Sequence, residues 1–351
     1  MSLKILYLYT EVMGYTIATI NALVRYGAEV HIIHWDEKKL TPYQVPSISG
    51  AHFYARSMYN KKAILDLAFQ VKPQITVVSG WIDHTYLSVA KILRAKGLIT
   101  VVGLDGQRQD TFRQWLAAVL GQFGYFTQYF SHAWVAGTYQ YEYARYLGFK
   151  KKQIVFDLYS ADLEKFLKYS FYSKERKRGN YPHRFLYVGR YESVKGIDIL
   201  MTAWSSLEGE HGDWELHLVG NGSLKDVLLQ IPNVVVKDFM QPDDLVEEIS
   251  KAGCFILPSR VEPWGVVVHE VAGAGLPCIA SDAVGSATAF VINGLNGYVC
   301  SPMNSEQLAN AIRMLMKKSD VELLDMGRAS IELAQRITPH TSAANLLSIL
   351  Y

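Results

Sequence analysis

Leu257-Pro258-Ser259-Arg260-Val261-Glu262-Pro263-Trp264-Gly265-Val266-Val267-Val268-His269-Glu270-Val271-Ala272-Gly273-Ala274-Gly275 joins one apolar run to another through a turn. The run at 254–257, Cys-Phe-Ile-Leu, reads as a buried strand that Pro258 stops. Val266, Val267, Glu270 and Val271 recur at helical spacing, which predicts a helix opening near Gly265. A strand, a glycine-bearing turn and a helix N-terminus make an anion site, because free N–H groups and the positive end of the helix dipole point outward. Two carboxylates bracket the turn: Glu262 lies before the helix and Glu270 inside it. Carboxylates are unsuited to phosphate itself but accept hydrogen bonds from hydroxyls. The pair therefore suits a ribose or a hexose attached to a phosphate.

The surrounding chain is long enough for two domains. It has 351 residues, 50% hydrophobic and 19% charged, which supplies two cores and excludes a disordered protein. Its 35 basic and 33 acidic residues leave a net charge of +2, so nucleic acid is not the expected partner. Cys254, Cys278 and Cys300 fall in or beside apolar runs without paired spacing. That pattern argues against disulfides or a zinc site and fits a reducing cytosol. A first strand starting at Lys4 leaves no room for a signal peptide, and no apolar run reaches membrane-spanning length. A soluble, cytoplasmic protein is expected.

Outward from the central stretch, short apolar runs alternate with helical patterns. In the first half strands are predicted at 5–9, 29–34, 75–79, 99–104, 133–136 and 154–156, with helices at 17–25, 62–70, 84–96 and 139–146. The alternation restarts at 184–189, followed by strands at 215–219, 234–237, 254–257, 277–280 and 297–299. Helices are predicted at 197–207, 243–250, 266–274 and 305–317, the last opened by a capping box of Asn304 and Gln307. Between the halves, 157–182 is polar and basic (Lys174, Arg176, Lys177, Arg178) and reads as a linker region. The pattern predicts an α/β fold of two doubly wound Rossmann-like domains, 1–170 and 171–337. Ligands of such domains bind at the carboxyl ends of the strands.

The second domain's first strand runs into Gly189-Arg190-Tyr191-Glu192-Ser193-Val194-Lys195-Gly196. Arg190 can grip a phosphate bidentately and Lys195 can act as a point charge; a solvated loop is the plain alternative. Gly220-Asn221-Gly222 lacks the third glycine of a dinucleotide fingerprint and reads as a strand-exit turn. Gly-Arg, Lys-Gly, the 218–222 turn, Pro258-Ser259, the two glutamates and Asn293-Gly294-Leu295-Asn296-Gly297 follow in one order. This series resembles the retaining glycosyltransferases of the two-domain GT-B fold, the bacterial-type group 1 enzymes that use sugar nucleotides. The resemblance covers the C-terminal domain and is much weaker over the N-terminal one.

The resemblance implies a GT-B fold with a cleft between the domains, the donor on the C-terminal domain and the acceptor on the N-terminal one. Arg190 and Lys195 would hold the donor's diphosphate. Glu262 would contact the donor sugar with backbone N–H groups of Trp264, Gly265, Val266 and Val267, and Glu270 would accept ribose hydroxyls. Gly189 and Gly222 would approach the donor, and the base would lie near Asp238, Phe239 and Met240. The final helix, 338–351, would cross back to the first domain. The donor would be a nucleotide diphosphate sugar and the acceptor a saccharide or a lipid-linked saccharide, with no cofactor and no metal. Sugar-nucleotide epimerases, phosphorylases and a non-catalytic nucleotide-sugar-binding subunit remain the alternatives.

The N-terminal half departs from the family pattern. The turn after its first strand has one glycine, Gly14, with Glu11 as an acceptor contact. The position near the sugar where the family commonly has histidine holds Asp105, which accepts but does not donate when ionised; a turn residue is its equal alternative. The glutamate expected a few residues beyond Gly285 is absent from Ser286-Ala287-Thr288-Ala289. His84, beside Trp81 and Asp83, is either a cleft residue or a surface one. Residues 108–130 are rich in aromatics (Phe112, Trp115, Phe123, Tyr125, Phe126, Tyr129, Phe130), and the basic clusters 150–152 and 174–178 accompany them. Core packing accounts for the aromatics simply; a peripheral membrane face is the second reading.

Overall fold

The computed structural model describes residues 3–37, 45–231 and 233–351, with side chains throughout except at 169, 171–176 and 178. The chain divides into two compact units, Met1–Ser160 with Pro339–Tyr351, and Ala161–Thr338. The sequence reading had drawn the boundary at 170/171.

Unit 1 holds strands β1 (Leu3–Tyr9), β2 (Ala28–His34), β3 (Ala51–Ala55), β4 (Ile75–Val78), β5 (Ile99–Leu104), β6 (His132–Val135) and β7 (Ile154–Val155). They form a parallel sheet in the order β3-β2-β1-β4-β5-β6-β7. The central strands are buried on both faces, which explains their unbroken apolar runs: β4 is buried at every position. The helix Pro339–Leu347 belongs to this unit and meets the helix Gly14–Arg25, with Thr19 Oγ1 3.4 Å from Ser342 Oγ.

Unit 2 repeats the plan with β8 (Arg184–Val188), β9 (Glu215–Val219), β10 (Val234–Lys237), β11 (Cys254–Leu257), β12 (Cys278–Ser281) and β13 (Gly297–Cys300). Its parallel order is β10-β9-β8-β11-β12-β13, so the direction of winding reverses between β8 and β11. Loops leaving neighbouring strands on either side of such a reversal open a crevice at the carboxyl edge. All three cysteines are buried and free.

Several local expectations change. The region read as a linker contains a helix, Leu163–Gly179. Its apolar anchors Leu163 and Phe166 pack where Gly273 leaves room, and a Cβ there would come within 2.8 Å of Leu163. The polar and basic run at 174–178 hid this helix in the sequence. The side chains of Lys174, Arg176 and Arg178 lie outside the described residues, whereas Lys177 is buried, and burial lowers its pKa to about 8. Strand β3 and the helix Asp320–Ala334 were not predicted. Asn304 caps the helix Ser305–Met316 through the Gln307 N–H at 2.9 Å. The Gln307 side chain instead accepts from Ser301 N, so the capping box is half formed. Among the described residues no helix is long and apolar enough to cross a membrane.

Candidate active site

In unit 2 the loops leaving β8, β9, β11 and β12 are locked to one another by backbone contact. Gly196 has φ +69°, and a Cβ there would lie 2.0 Å from the Pro258 carbonyl oxygen. Only glycine permits both that backbone conformation and that approach. The β11 loop then runs along the β8 loop, with Arg260 N donating to Val194 O at 2.9 Å. Arg260 also forks onto Asp198 at 2.8 and 2.6 Å. Gly220 and Gly222 allow the β9 loop the same intimacy: Cβ atoms there would stand 1.9 Å from Gly189 O and 2.6 Å from Tyr191 O. Glu192 closes this side by accepting from Ser223 N at 2.9 Å and Ser223 Oγ at 2.7 Å.

This frame brings Lys195 and Glu262 together although 67 residues separate them. The two side chains form an ion pair, only 16% and 13% exposed. Glu262 is fixed from behind, because its carbonyl accepts from Gly285 N at 3.1 Å and Trp264 O accepts from Ser286 N at 2.8 Å. Gly265, at φ +82°, caps the helix Val266–Gly273, and a Cβ on it would meet Glu262 Cγ at 2.9 Å. The amides of Gly265, Val266 and Val267 have no hydrogen-bond partner among the described residues, so the helix presents open N–H groups beside the Lys195–Glu262 pair. Arg190, earlier in the β8 loop, is exposed and forms no ion pair among the described residues.

Glu270 sits within the helix, partly buried. Burial pushes its carboxyl up to about 7, opposed by the Lys165 ammonium and assisted by Asp162. No salt bridge or hydrogen bond satisfies that carboxyl among the described residues. Hydroxyl donors are what it lacks.

The other expected donor contacts have structural duties. Gly189 N–H is taken by Val219 O at 3.0 Å, and Gly222 N–H by Asn221 Oδ1 at 2.8 Å. Both glycines serve the packing of the loops. Trp264 is buried against Phe290, so only its backbone faces the turn. Asp238 pairs with Lys225, and Phe239 beside it is exposed. Neither the Arg260–Asp198 clamp nor the Glu192–Ser223 lock was foreseen from the sequence. A carboxylate or cation in each glycine-bounded loop was the only available hint.

Unit 1 presents a different chemistry at its strand exits. Asp105 follows β5 and accepts from Tyr159 Oη at 3.1 Å, while its carbonyl accepts from Gln140 Nε2 at 3.0 Å. Its side chain reaches solvent, yet the protein around it desolvates the carboxyl and raises its pKa, and the Tyr159 hydrogen bond opposes the rise. The Tyr159 ring lies tilted against that of Tyr15, with centroids 4.6 Å apart. Gly14 is the first residue of its helix and has no left-handed backbone angle. His84 is exposed; the cap of its helix is Asp83, which accepts from Thr85 N and Tyr86 N and pairs with Arg56 at 2.9 Å. Among the described residues, the group with metal-ligand spacing is Glu29, His31 and His52. It lies toward the opposite end of the strands from Asp105, and Lys4 already contacts Glu29 at 3.2 Å.

Comparison with known proteins bears on the family and the fold. Residues 170–332 match the family described as glycosyl transferases group 1. Glycogen synthase of Mycobacterium tuberculosis is 31% identical over 142 residues, 38% of this chain and 34% of that protein. The alpha-D-kanosaminyltransferase of Streptomyces kanamyceticus is 27% identical over 138 residues, 37% of this chain and 36% of its own. The chain thus spans about a third of the length of these curated relatives. The fold is shared over the full length with sucrose-phosphate synthase of Thermosynechococcus elongatus (TM-score 0.75, 19% identity, 99% of this chain and 98% of that one). It is shared equally with HepE of Anabaena in complex with UDP and glucose (TM-score 0.74, 15% identity, 99% of both chains). The architecture is the two-domain Rossmann-like α/β fold of the GT-B type. The similarity to the group 1 glycosyl transferase family thus lies within the C-terminal unit.

Proposed function

We propose that this protein is a retaining glycosyltransferase that moves a hexose-type sugar from a nucleotide diphosphate to a saccharide or lipid-linked acceptor, in surface polysaccharide or glycoconjugate synthesis. The observation that carries the reading is the crevice between β8 and β11. There a half-buried Lys195–Glu262 pair, the open amides of Gly265, Val266 and Val267, and the unpaired Arg190 belong to loops locked against one another. As the bond from sugar to diphosphate breaks, negative charge grows on the departing phosphate. Donors already in place stabilise that charge without reorganising. Lys195 and Arg190 supply this neutralisation from side chains, so the reading needs no metal and no cofactor.

Glu262 has two duties: it orients Lys195, and it accepts hydroxyls of the donor sugar. Glu270 accepts ribose hydroxyls, for which its carboxyl must be ionised. In unit 1, Asp105, held by Tyr159, receives an acceptor hydroxyl. HepE binds UDP and glucose, which favours a uridine nucleotide sugar as the first donor to try.

A membrane-surface location is part of the proposal, since one exposed helix face favours it. On the helix Phe112–Gln122 and just past it, Phe112 is 77% exposed, Trp115 53% and Phe123 87%. Leu116 and Leu120 lie on the same face and are also exposed. A contiguous apolar face of this kind suits a lipid-linked acceptor at a bilayer.

The test is a thermal-shift panel of UDP-, GDP-, ADP- and dTDP-sugars, followed by transfer assays with the stabilising donor. A ligand at 100 times its dissociation constant stabilises by about 2.7 kcal/mol, which the assay resolves. Stabilisation by one nucleotide sugar together with sugar transfer supports the reading. Stabilisation without transfer to any acceptor identifies a binding subunit, and sugar interconversion or phosphate dependence identifies an epimerase or phosphorylase. No stabilisation by any of them overturns the proposal.

A further inference from the structure

A cavity of about 480 Å³ opens in unit 1 at the end of the helix Phe112–Gln122. It lies at the edge of the sheet opposite Asp105, because its wall includes Ser131 and His132 at the start of β6, whereas Asp105 follows the end of β5. Its charged lining consists of Arg94, Lys150 and Lys152, with no carboxylate among the lining residues. Elsewhere in this unit Lys4 pairs with Glu29 and Arg56 with Asp83. The Nε of Arg94 is buried and has no partner among the described residues. Three cations around one concavity repel one another, and a buried guanidinium nitrogen without an acceptor costs free energy. Both costs vanish when an anion enters.

Two glycines build this arrangement. A Cβ on Gly121 would lie 2.3 Å from Leu147 O, and one on Gly148, at φ +91°, would lie 2.4 Å from Gly121 O. The last turn of the helix is thereby pressed onto the loop that carries Lys150 and Lys152. Gln122 and Gly124 line the cavity, and the Phe123 between them is 87% exposed. The apolar face and the cationic cavity are therefore contiguous.

We infer that this cavity binds the phosphate of an anionic phospholipid headgroup while Trp115, Leu120 and Phe123 enter the acyl region beside it. The inference rests on the membrane location proposed above and adds to it a defined headgroup site. Free phosphate shares the chemistry, but it gives no role to the adjoining apolar face.

The test uses the full chain in co-sedimentation with vesicles of phosphatidylcholine alone and with about a third phosphatidylglycerol, plus inorganic phosphate and glycerol 3-phosphate as soluble probes. Binding is expected only to the anionic vesicles. Lys150→Gln with Lys152→Gln should weaken it by about 10- to 30-fold, taking each lysine near the surface at its usual worth. Phe123→Ser should weaken it while leaving the salt dependence intact. Both lysines are exposed, so folding is expected to survive, and an unchanged melting temperature checks it. Equal binding to neutral and anionic vesicles, retention of binding by the lysine variant, or phosphate affinity matching that of vesicles each overturns the inference. Nucleotide-sugar stabilisation, measured on the same variants, reports separately on the catalytic reading.

Discussion

The strand exits of the two units face opposite electrostatic tasks. Those of unit 2 carry Arg190, Lys195 and a helix N-terminus with open amides, and their loops are locked by glycines and by the Arg260–Asp198 fork. Those of unit 1 carry Asp105 and the hydroxyl of Tyr159; their cation cluster, Arg94, Lys150 and Lys152, lies at the other edge of the sheet. The same doubly wound scaffold thus carries cations and open amides at the strand exits of one unit and a carboxylate with a hydroxyl at those of the other. On the proposed function, unit 2 meets charge that develops during a reaction, which demands preorganisation. On the same reading, unit 1 receives a neutral nucleophile, for which one oriented carboxylate suffices.

The strongest way to break this division is to remove the charge on each side. A charge-assisted hydrogen bond is worth roughly 1.5–3 kcal/mol, so Lys195→Ala should lower kcat/KM by about 10- to 150-fold. That variant also leaves Glu262 half-buried without its partner, so Lys195→Ala with Glu262→Gln is the control that restores melting temperature and not turnover. Asp105→Asn keeps the Tyr159 contact geometry and should cost about 10-fold in turnover, with no change in nucleotide affinity. Steady-state kinetics with separate nucleotide titrations distinguish them. If Asp105→Asn weakens nucleotide binding as much as Lys195→Ala does, the two strand-exit sites do not divide the work.

Much of this contrast was legible in the residues. Strand β11, the turn and the helix from Val266 follow from one apolar run, one proline and one glycine. Gly265 and Gly196 could be recognised as special because cations and carboxylates crowd their neighbourhoods. The pairing of Lys195 with Glu262 could not be read, since it depends on the Pro258 carbonyl touching Gly196 across two strands. Gly189 and Gly222 illustrate a further limit, because glycines that serve loop packing look the same in sequence as glycines that admit a ligand. The helix Leu163–Gly179 was hidden by its polar and basic run at 174–178, and its anchoring contact with Gly273 is non-local. Asp320–Ala334 was within reach: Ser319 and Glu322 are a capping box, formed in full.

A smaller effect sharpens the comparison through pH. Both Asp105 and Glu270 are raised by desolvation, but only Asp105 has a hydroxyl donor to offset it. Glu270 rises from an ordinary 4.5 to about 7. Its ionisation therefore opposes folding, with the penalty appearing as pH climbs above 4.5 and complete above about 7. Glu270→Gln should stabilise the protein by roughly 1–3 kcal/mol at pH 8 and by almost nothing at pH 4. The same variant should bind nucleotide sugar more weakly at pH 8, and wild-type affinity should decline as pH falls below 7 because the protonated carboxyl accepts fewer hydroxyl bonds. Calorimetry across this range measures both. A stability gain independent of pH would show that the Glu270 pKa is the same in the folded and unfolded chains, and the desolvated, unsatisfied carboxyl assigned to it would fall.

The smallest effect compares helix caps. In unit 1 Asp83 accepts two backbone amides and also pairs with Arg56, so its loss removes several interactions at once. In unit 2 Ser319 and Glu322 cap one another's backbone groups at the surface, and little else depends on them. Ser319→Ala should therefore cost about 1 kcal/mol, the usual worth of an N-cap. Lys318 and then Ser319 hold the Glu322 carboxyl down to about 2, so the cap persists through mildly acidic pH and is lost as pH falls toward that value. Hydrogen exchange should show the loss of protection confined to the first turn of Asp320–Ala334, with the Lys195 crevice unchanged. Loss of nucleotide-sugar binding in this variant would mean that the crevice draws its order from the helix behind it, and that the loop-to-loop glycine contacts are insufficient to hold the site.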